Sequence, residues 1–272
     1  MTDNTMCGEF SLLNTVPAVL RARGFRLYTQ DGRRLIDLWL NGGAAILGHT
    51  PPNLLRELKN TASRGLYAPL PHFSESRFIK ALSKLFPGRS FRLYAAPPPE
   101  LTKLFNSGAA KLWRPFIDPA SLFAVENAPL FIPVLPGIQL WRGELPLGLC
   151  IAAAESENQL AQLPAGDILP PLLLAVAARG AYDLLASPER AKPAFSRIAK
   201  VMQTDDFKKR WRRQGIYLYP KEKTENDGWA ILFRQFLDAG FLLPPNQNQP
   251  LILPRELSDG EEAKLAAVLC DN

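Results

Sequence analysis

The sequence predicts an α/β protein whose regular structure is concentrated in its two ends. Three observations carry this reading. Near the N-terminus an Asp31-Gly32 dipeptide separates two short apolar runs, several later stretches repeat apolar residues at helical spacing, and a proline-rich centre shows neither period. With 272 residues, 47% of them hydrophobic, the chain is long enough to bury a full core, as one large domain or two small ones.

Arg26-Leu27-Tyr28 and Leu35-Ile36-Asp37-Leu38 flank Asp31-Gly32 as the arms of a hairpin, because glycine accepts the positive φ of a tight turn. Asn41-Gly42-Gly43 then breaks the strand. Pro51-Pro52 opens a helix with Leu54, Leu55 and Leu58 inside, since proline is tolerated in a first helical turn. A second helix runs from Ser74 to Phe86 on Phe78, Ile79, Leu82 and Leu85, and Pro87-Gly88 stops it.

From Ser90 to Pro146 the periodicity is poor, and nine of the 25 prolines lie between Phe91 and Cys150. Pro97-Pro98-Pro99 predicts neither helix nor inner strand. Leu122 to Val125 and Leu149 to Ala154 read as buried strands. Helical spacing returns after Pro164, with Asp167 placed to cap a helix facing inward through Leu169, Leu172, Leu173, Val176 and Leu184. Ser187-Pro188-Glu189 starts another, carrying Phe195, Ile198 and Val201. A short helix closes at Gln214-Gly215, followed by a strand at Ile216 to Tyr219. Trp229, Leu232, Phe233, Phe236 and Leu237 stripe a helix ending at Gly240. Ser258-Asp259-Gly260-Glu261 has capping-box spacing for a last helix through Leu269.

The net charge of +6, with a pI near 9.3, is too mild an excess to imply a nucleic-acid partner. The basic run Lys208 to Arg213 reads as a helix end whose cations offset the exposed carbonyls, with Asp205 and Asp206 at the opposite end. Cys7, Cys150 and Cys270 are far apart and lack CxxC spacing, which points to reduced thiols rather than a disulfide framework or zinc site. His49 and His72 are the only histidines and read as loop-anchoring hydrogen-bonders, so no metal site is expected. No stretch approaches the roughly 18 apolar residues of a membrane span. The N-terminus lacks the basic-then-apolar pattern of a signal peptide. The expectation is a cytoplasmic protein with no membrane partner.

Leu27-Tyr28, Asp31-Gly32, Leu35-Ile36-Asp37 and Leu47-Gly48-His49 continue through Arg64-Gly65, Ala68-Pro69, Glu75 and Phe86-Pro87. This series resembles the N-terminal segment of class III pyridoxal-phosphate (PLP) aminotransferases, in their glutamate-1-semialdehyde aminomutase branch. The run from Phe233 to Pro245, followed by Leu257-Ser258, resembles the family's C-terminal segment. The resemblance implies a fold-type I PLP-transferase-like α/β fold. Its small domain is retained in residues 1–89 and 167–272, and the large cofactor domain is strongly reduced to residues 90–166. Strands of about 5–6 residues joined by crossovers of a dozen or more cannot complete the usual seven-stranded sheet in that length.

The same resemblance makes PLP the ancestral cofactor and lets each requirement for it be checked. The family's lysine precedes a Leu-Pro-Val-Gly turn. Here Pro136 to Gly148 reads PGIQLWRGELPLG, has no lysine, and puts Gln139 or a neighbour in that place, so no Schiff base is expected. Glu126 stands where the family's aspartate meets the pyridine nitrogen. The phosphate cup becomes Ala95-Ala96-Pro97-Pro98-Pro99, whose prolines lack N–H donors, and Asn106 to Ala110 is a displaced echo of it. Leu163 to Asp167 lacks the family's threonine hydroxyl. Asn41 and Gly42 replace the aminomutase Ser-Trp pair in the substrate loop.

The resulting expectation is a noncatalytic binding or interaction protein with no catalytic residue. PLP is its cofactor by ancestry but is not covalently bound, its ligand is small and amino-acid-like, and its partner is a second copy or a full-length aminotransferase. Two alternatives stay open: an active transaminase or aminomutase with a displaced lysine, and a regulatory subunit of a full-length aminotransferase.

Overall fold

The computed structural model describes residues 11–117, 129–187, 195–222 and 226–271. It divides into two compact units, one of Met1–Gly42 with Glu189–Asn272 and one of Gly43–Pro188.

The first unit opens with β1 (Val19–Arg23), β2 (Arg26–Thr29) and β3 (Arg34–Asp37), paired antiparallel in that order. The expected hairpin is present. Gly32 turns at a φ of 83°, and the Asp31 carboxylate accepts from the Thr29 hydroxyl and from Arg33.

The second unit begins with helices α1 (Pro52–Ala62) and α2 (Ser74–Leu85), both where the sequence predicts them, although of the expected inner residues of α1 Leu54 is buried, Leu58 half-buried and Leu55 exposed. Strand β4 (Ser90–Tyr94) leads to α3 (Pro99–Asn106). The triple proline thus does start a helix, because only Pro99 enters it, at the first position, where a missing N–H leaves no bond unmade. Then come β5 (Ala110–Trp113), β6 (Leu130–Pro133), the hairpin β7 (Leu140–Arg142) and β8 (Leu145–Leu147), and β9 (Cys150–Ala154). The sheet order is β4-β9-β6-β5, with β9 antiparallel to β4 and β6, and β5 parallel to β6. β6 and β9 are buried along their whole length. A strand covered on both faces is apolar on both, so the aperiodic centre hides a sheet rather than a loop. The predicted strand at Leu149 to Ala154 is β9; the one at Leu122 to Val125 lies outside the described residues.

A single turn, α4 (Glu157–Leu160), follows with a Ser156–Gln159 capping box, and then α5 (Pro171–Leu185), which packs on α1 and α2. Asp167 does not cap α5. Pro170 holds the N-cap position, and the Asp167 carboxylate instead accepts the Ala95 N–H at 2.8 Å. Leu169 before the helix and Leu174, Val176 and Leu184 within it are buried, while Leu172 and Leu173 are half-buried. One face of the sheet buries Tyr94, Leu101, Ile132, Cys150 and Leu163 together. Phe86 meets Trp113 and Phe131 edge-on at 4.7 and 5.0 Å. Each such apolar side chain contributes about 1.5–3 kcal/mol by leaving water.

The chain returns to the first unit with α6 (Ser196–Val201), α7 (Asp205–Arg210), β10 (Trp211–Gln214) and β11 (Tyr217–Pro220). Part of the predicted Ser187-Pro188-Glu189 helix start falls outside the described residues, and the described α6 keeps Ile198 buried. The helix expected to run to Gln214 ends at Arg210, and Gly215, at a φ of 57°, turns a hairpin instead. The strand pairs with β11 from Trp211 to Gln214; Trp211 is buried, Arg212 and Arg213 are exposed, and Arg212 lies over the Tyr219 ring at 4.9 Å. Next are α8 (Asn226–Asp238), β12 (Phe241–Leu242), β13 (Leu251–Ile252) and α9 (Asp259–Asp271). β12 joins β3 in parallel and β13 joins β11. The α9 capping box is formed: Ser258 N–H donates to Glu261 at 2.8 Å and Glu261 N–H to the Ser258 hydroxyl at 3.4 Å. Among the described residues no helix is long and apolar enough to cross a membrane.

Candidate functional site

Because β9 is antiparallel to both β4 and β6, and β5 is parallel to β6, strands β4, β5 and β6 all end on the same edge of the central sheet. The carboxyl edge of parallel strands is where open α/β sheets leave a crevice for ligands. Three chain segments leave the strands there.

After β4, the Ala95 amide donates to the Asp167 carboxylate and the Ala95 carbonyl accepts from Gly148 at 2.7 Å. The Asp167 amide donates to the Leu93 carbonyl at 2.8 Å. Gly166 allows this approach, since a Cβ there would stand 3.1 Å from the Leu93 oxygen. At the start of α3, Pro99 has no N–H, and Glu100 in the first turn already faces the helix's positive end. An added anion would meet that carboxylate. The displaced echo at Asn106 to Ala110 is the C-terminal end of α3 and the turn into β5, so its amides do not form a helix N-terminus.

After β5, the Trp113 carbonyl accepts from Val134 at 2.9 Å, which extends the parallel pairing past the strand ends. Arg114 follows and is 6% exposed, and its Nε has no hydrogen-bond partner among the described residues. Phe116, also buried, takes a left-handed φ of 65°, rare for an aromatic residue and a form of stored backbone strain.

After β6 the chain passes Pro136 and Gly137 to reach Gln139 at the foot of the β7–β8 hairpin. Gln139 is buried, and its Nε2 donates to the Leu149 carbonyl at 3.0 Å and the Leu147 carbonyl at 3.4 Å. Helix α5 crosses Pro136 so closely that a Cβ on Gly180 would stand 1.9 Å from the Pro136 oxygen. Nearby, burial pushes the Cys150 thiol up to about 12 and raises the Tyr94 hydroxyl, which donates to the Pro164 carbonyl. Neither is a nucleophile at neutral pH.

Glu126 lies outside the described residues. Asn41 and Gly42 belong to the first unit, in a turn over Leu40–Gly43, with φ, ψ of 49°, 52° and 65°, 10°. The Asp37 carboxylate fixes this turn by accepting the amides of Trp39 and Leu40, each at 2.8 Å. Sequence reasoning passed over Arg114. Its signal is a lone charge inside the apolar run Leu112-Trp113-Arg114-Pro115-Phe116.

A separate cavity of about 280 Å3 in the second unit is lined by Glu57, Arg64, His72, Ser74 and Arg77 among others. Arg77 pairs with Glu57 at 2.8 Å, and the His72 ring anchors its own loop by accepting the Ser74 amide on Nδ1. Among the described residues no three histidine, cysteine, aspartate or glutamate side chains converge on a metal position.

No protein-family model matches the chain. An uncharacterized protein of Treponema pallidum is 31% identical over 87% of this chain and 88% of its own length. One of Borreliella burgdorferi is 26% identical over 93% and 90%. The glutamate-1-semialdehyde 2,1-aminomutase of Sorangium cellulosum matches only in part, at 36% identity over 69 residues, which are 25% of this chain and 16% of that enzyme. Among solved structures, the ornithine δ-aminotransferase of Plasmodium falciparum superposes with a TM-score of 0.64, covering 94% of this chain and 92% of the enzyme at 10% identity. The acetylornithine aminotransferase of Elizabethkingia anophelis gives 0.63, covering 94% and 93% at 11% identity. This chain and the Treponema pallidum protein therefore belong to one family, and the fold the chain adopts is that of the PLP-dependent aminotransferases.

Proposed function

We propose that the protein is a noncatalytic descendant of PLP aminotransferases that acts as a binding or interaction protein. The observation that carries this is Gln139. It sits before the β7–β8 hairpin, at or next to the place where the resemblance expects the lysine, and its carboxamide is committed to the carbonyls of Leu147 and Leu149. A carboxamide forms no Schiff base. The residues at the β4–α3 junction fit a cofactor phosphate no better, since the first helical N–H is absent at Pro99 and the Ala95 amide is taken by Asp167. The residues present do not fit covalently held PLP.

In this reading the chain is a shortened descendant of the family. In this account residues 90–166 are what remains of the cofactor domain. Residues 1–89 and 167–272 descend from the small domain, with Asn41 and Gly42 in the former substrate loop and Glu126 at the former pyridine-nitrogen position. The ligand is a small amino-acid-like molecule, and the partner is a second copy of the chain. A specific surface feature supports self-association: Tyr67, Leu70 and Phe73, on the segment before α2, are each half or more exposed.

The test is an absorption scan of purified protein with added PLP, followed by borohydride. The expected outcome is no aldimine band and no fixed adduct. A yellow adduct mapped to one lysine overturns the reading in favour of an active enzyme. Copurification with a longer aminotransferase would point to the regulatory-subunit alternative.

A further inference from the structure

We propose that Arg114 is the anchor of a small-molecule oxyanion, a carboxylate or phosphate, bound at the carboxyl edge of the central sheet. The inference deepens the reading of this edge as a ligand-binding place and rests on it.

A guanidinium removed from water is costly unless an anion or several acceptors replace its hydration. Arg114 is 6% exposed, its Nε is unpaired, and no carboxylate forms an ion pair with it among the described residues. Two other arginines of the same unit each have an anionic partner. Arg92 donates to two backbone carbonyls and pairs with Glu157, and Arg179, whose Nε is also unpaired, holds Asp183 through Nη2 at 2.6 Å. Both are only half-buried, so Arg114 is the more deeply buried of the three and the one with no carboxylate among the described residues.

Its position adds a second argument. Arg114 is the first residue beyond β5, on the edge where three strands end and where a ligand crevice forms in such sheets. The strained Phe116 lies two residues on, and backbone strain of this kind collects around ligand clamps. A planar, permanently charged fork suits a carboxylate or phosphate, which it can hold through two parallel hydrogen bonds.

The test is thermal unfolding at matched ionic strength in chloride, inorganic phosphate and succinate, for the wild-type protein, Arg114→Met and Arg114→Lys. The expected result is a concentration-dependent rise in melting temperature for the wild type in phosphate, succinate or both. Which of the two acts separates a phosphate ligand from a carboxylate ligand. Arg114→Met should lose the rise and, freed of an uncompensated buried charge, should unfold no earlier than the wild type in chloride. Arg114→Lys should bind about ten- to a hundredfold more weakly than the wild type. No oxyanion-specific rise in the wild type, or an equal rise in Arg114→Met, overturns the proposal. If Arg114→Met does not fold, the wild-type and Arg114→Lys titrations decide alone. An aldimine band with PLP would sink the noncatalytic reading and leave the oxyanion shift standing; a missing shift does the reverse.

Discussion

At the scale of single residues, a buried side chain that stays neutral needs less compensation than a charged one. A glutamine carries two donors and no charge, so Gln139 can be buried against the Leu147 and Leu149 carbonyls. A lysine in that place would bring an ammonium that two carbonyls do not neutralise. Cys150 follows the same rule. Fully buried on β9, its thiol is pushed up to about 12 and stays protonated at neutral pH, whereas Cys270 is exposed. Native protein treated with iodoacetamide at pH 8 should therefore be labelled at Cys270 and not at Cys150, with Cys150 modified only after denaturation. Peptide mass mapping checks this, and rapid native labelling of Cys150 would contradict its burial. Gln139 could be picked out through the resemblance because the Leu145-Pro146-Leu147-Gly148 motif after it is a local pattern. Arg114 was not, because its lack of a partner depends on segments far away in the chain.

At the scale of elements, α5 shows how a backbone contact dictates a residue. Gly180 is the point where the helix crosses Pro136, and no side chain fits there without moving one backbone or the other. Gly180→Ala should destabilise the second unit by about 3 kcal/mol, at the upper end of overpacking costs. Gly137→Ala is the control. Its added Cβ finds its nearest neighbour at 3.9 Å, so the change should stay within about 1 kcal/mol. Urea unfolding of both variants measures the difference, and equal effects would mean that the close approach is not rigid. The turn at Leu40–Gly43 was half legible. Asn41-Gly42-Gly43 announced a turn, but the left-handed Leu40, at a φ of 47°, is imposed by Asp37 gripping two amides and by a side chain that is fully buried.

At the scale of the whole molecule, the first unit is closed by a contact between its two ends. Arg26 on β2 holds Glu261 on α9 through bonds of 2.9 and 2.6 Å, and Arg34 adds a contact at 3.3 Å. The Arg26 hydrogen bond, with the Ser258 amide, holds the Glu261 carboxyl at about 2 against an ordinary 4.5, despite the opposing effect of burial. A folded-state value below the unfolded one stabilises fully above about pH 4.5, and that stabilisation is lost as pH falls toward 2. A shift of this size corresponds to roughly 3 kcal/mol. Solvent screening at the partly exposed arginines lowers the working figure to about 2 kcal/mol. Glu261→Gln should thus weaken the first unit by about that amount at pH 7 and by almost nothing at pH 2. Urea titrations across this range test it, and a pH-independent difference would place the effect in packing rather than charge.

The Asp31-Gly32 turn, the proline-led α1, the striped α8 and the capping box of α9 could all be read from the chain. Each is governed by neighbours within about four residues, where backbone geometry and capping chemistry act directly. The partial resemblance to aminotransferases was readable for the same reason, since it rests on consecutive motifs. The β4-β9-β6-β5 order, the strand at Trp211–Gln214, the bond from the Ala95 amide to Asp167 and the burial of Arg114 could not be read. They depend on pairings such as Ser90 with Ala154, which no local signal encodes, and on strands whose two covered faces erase the alternation that would have revealed them.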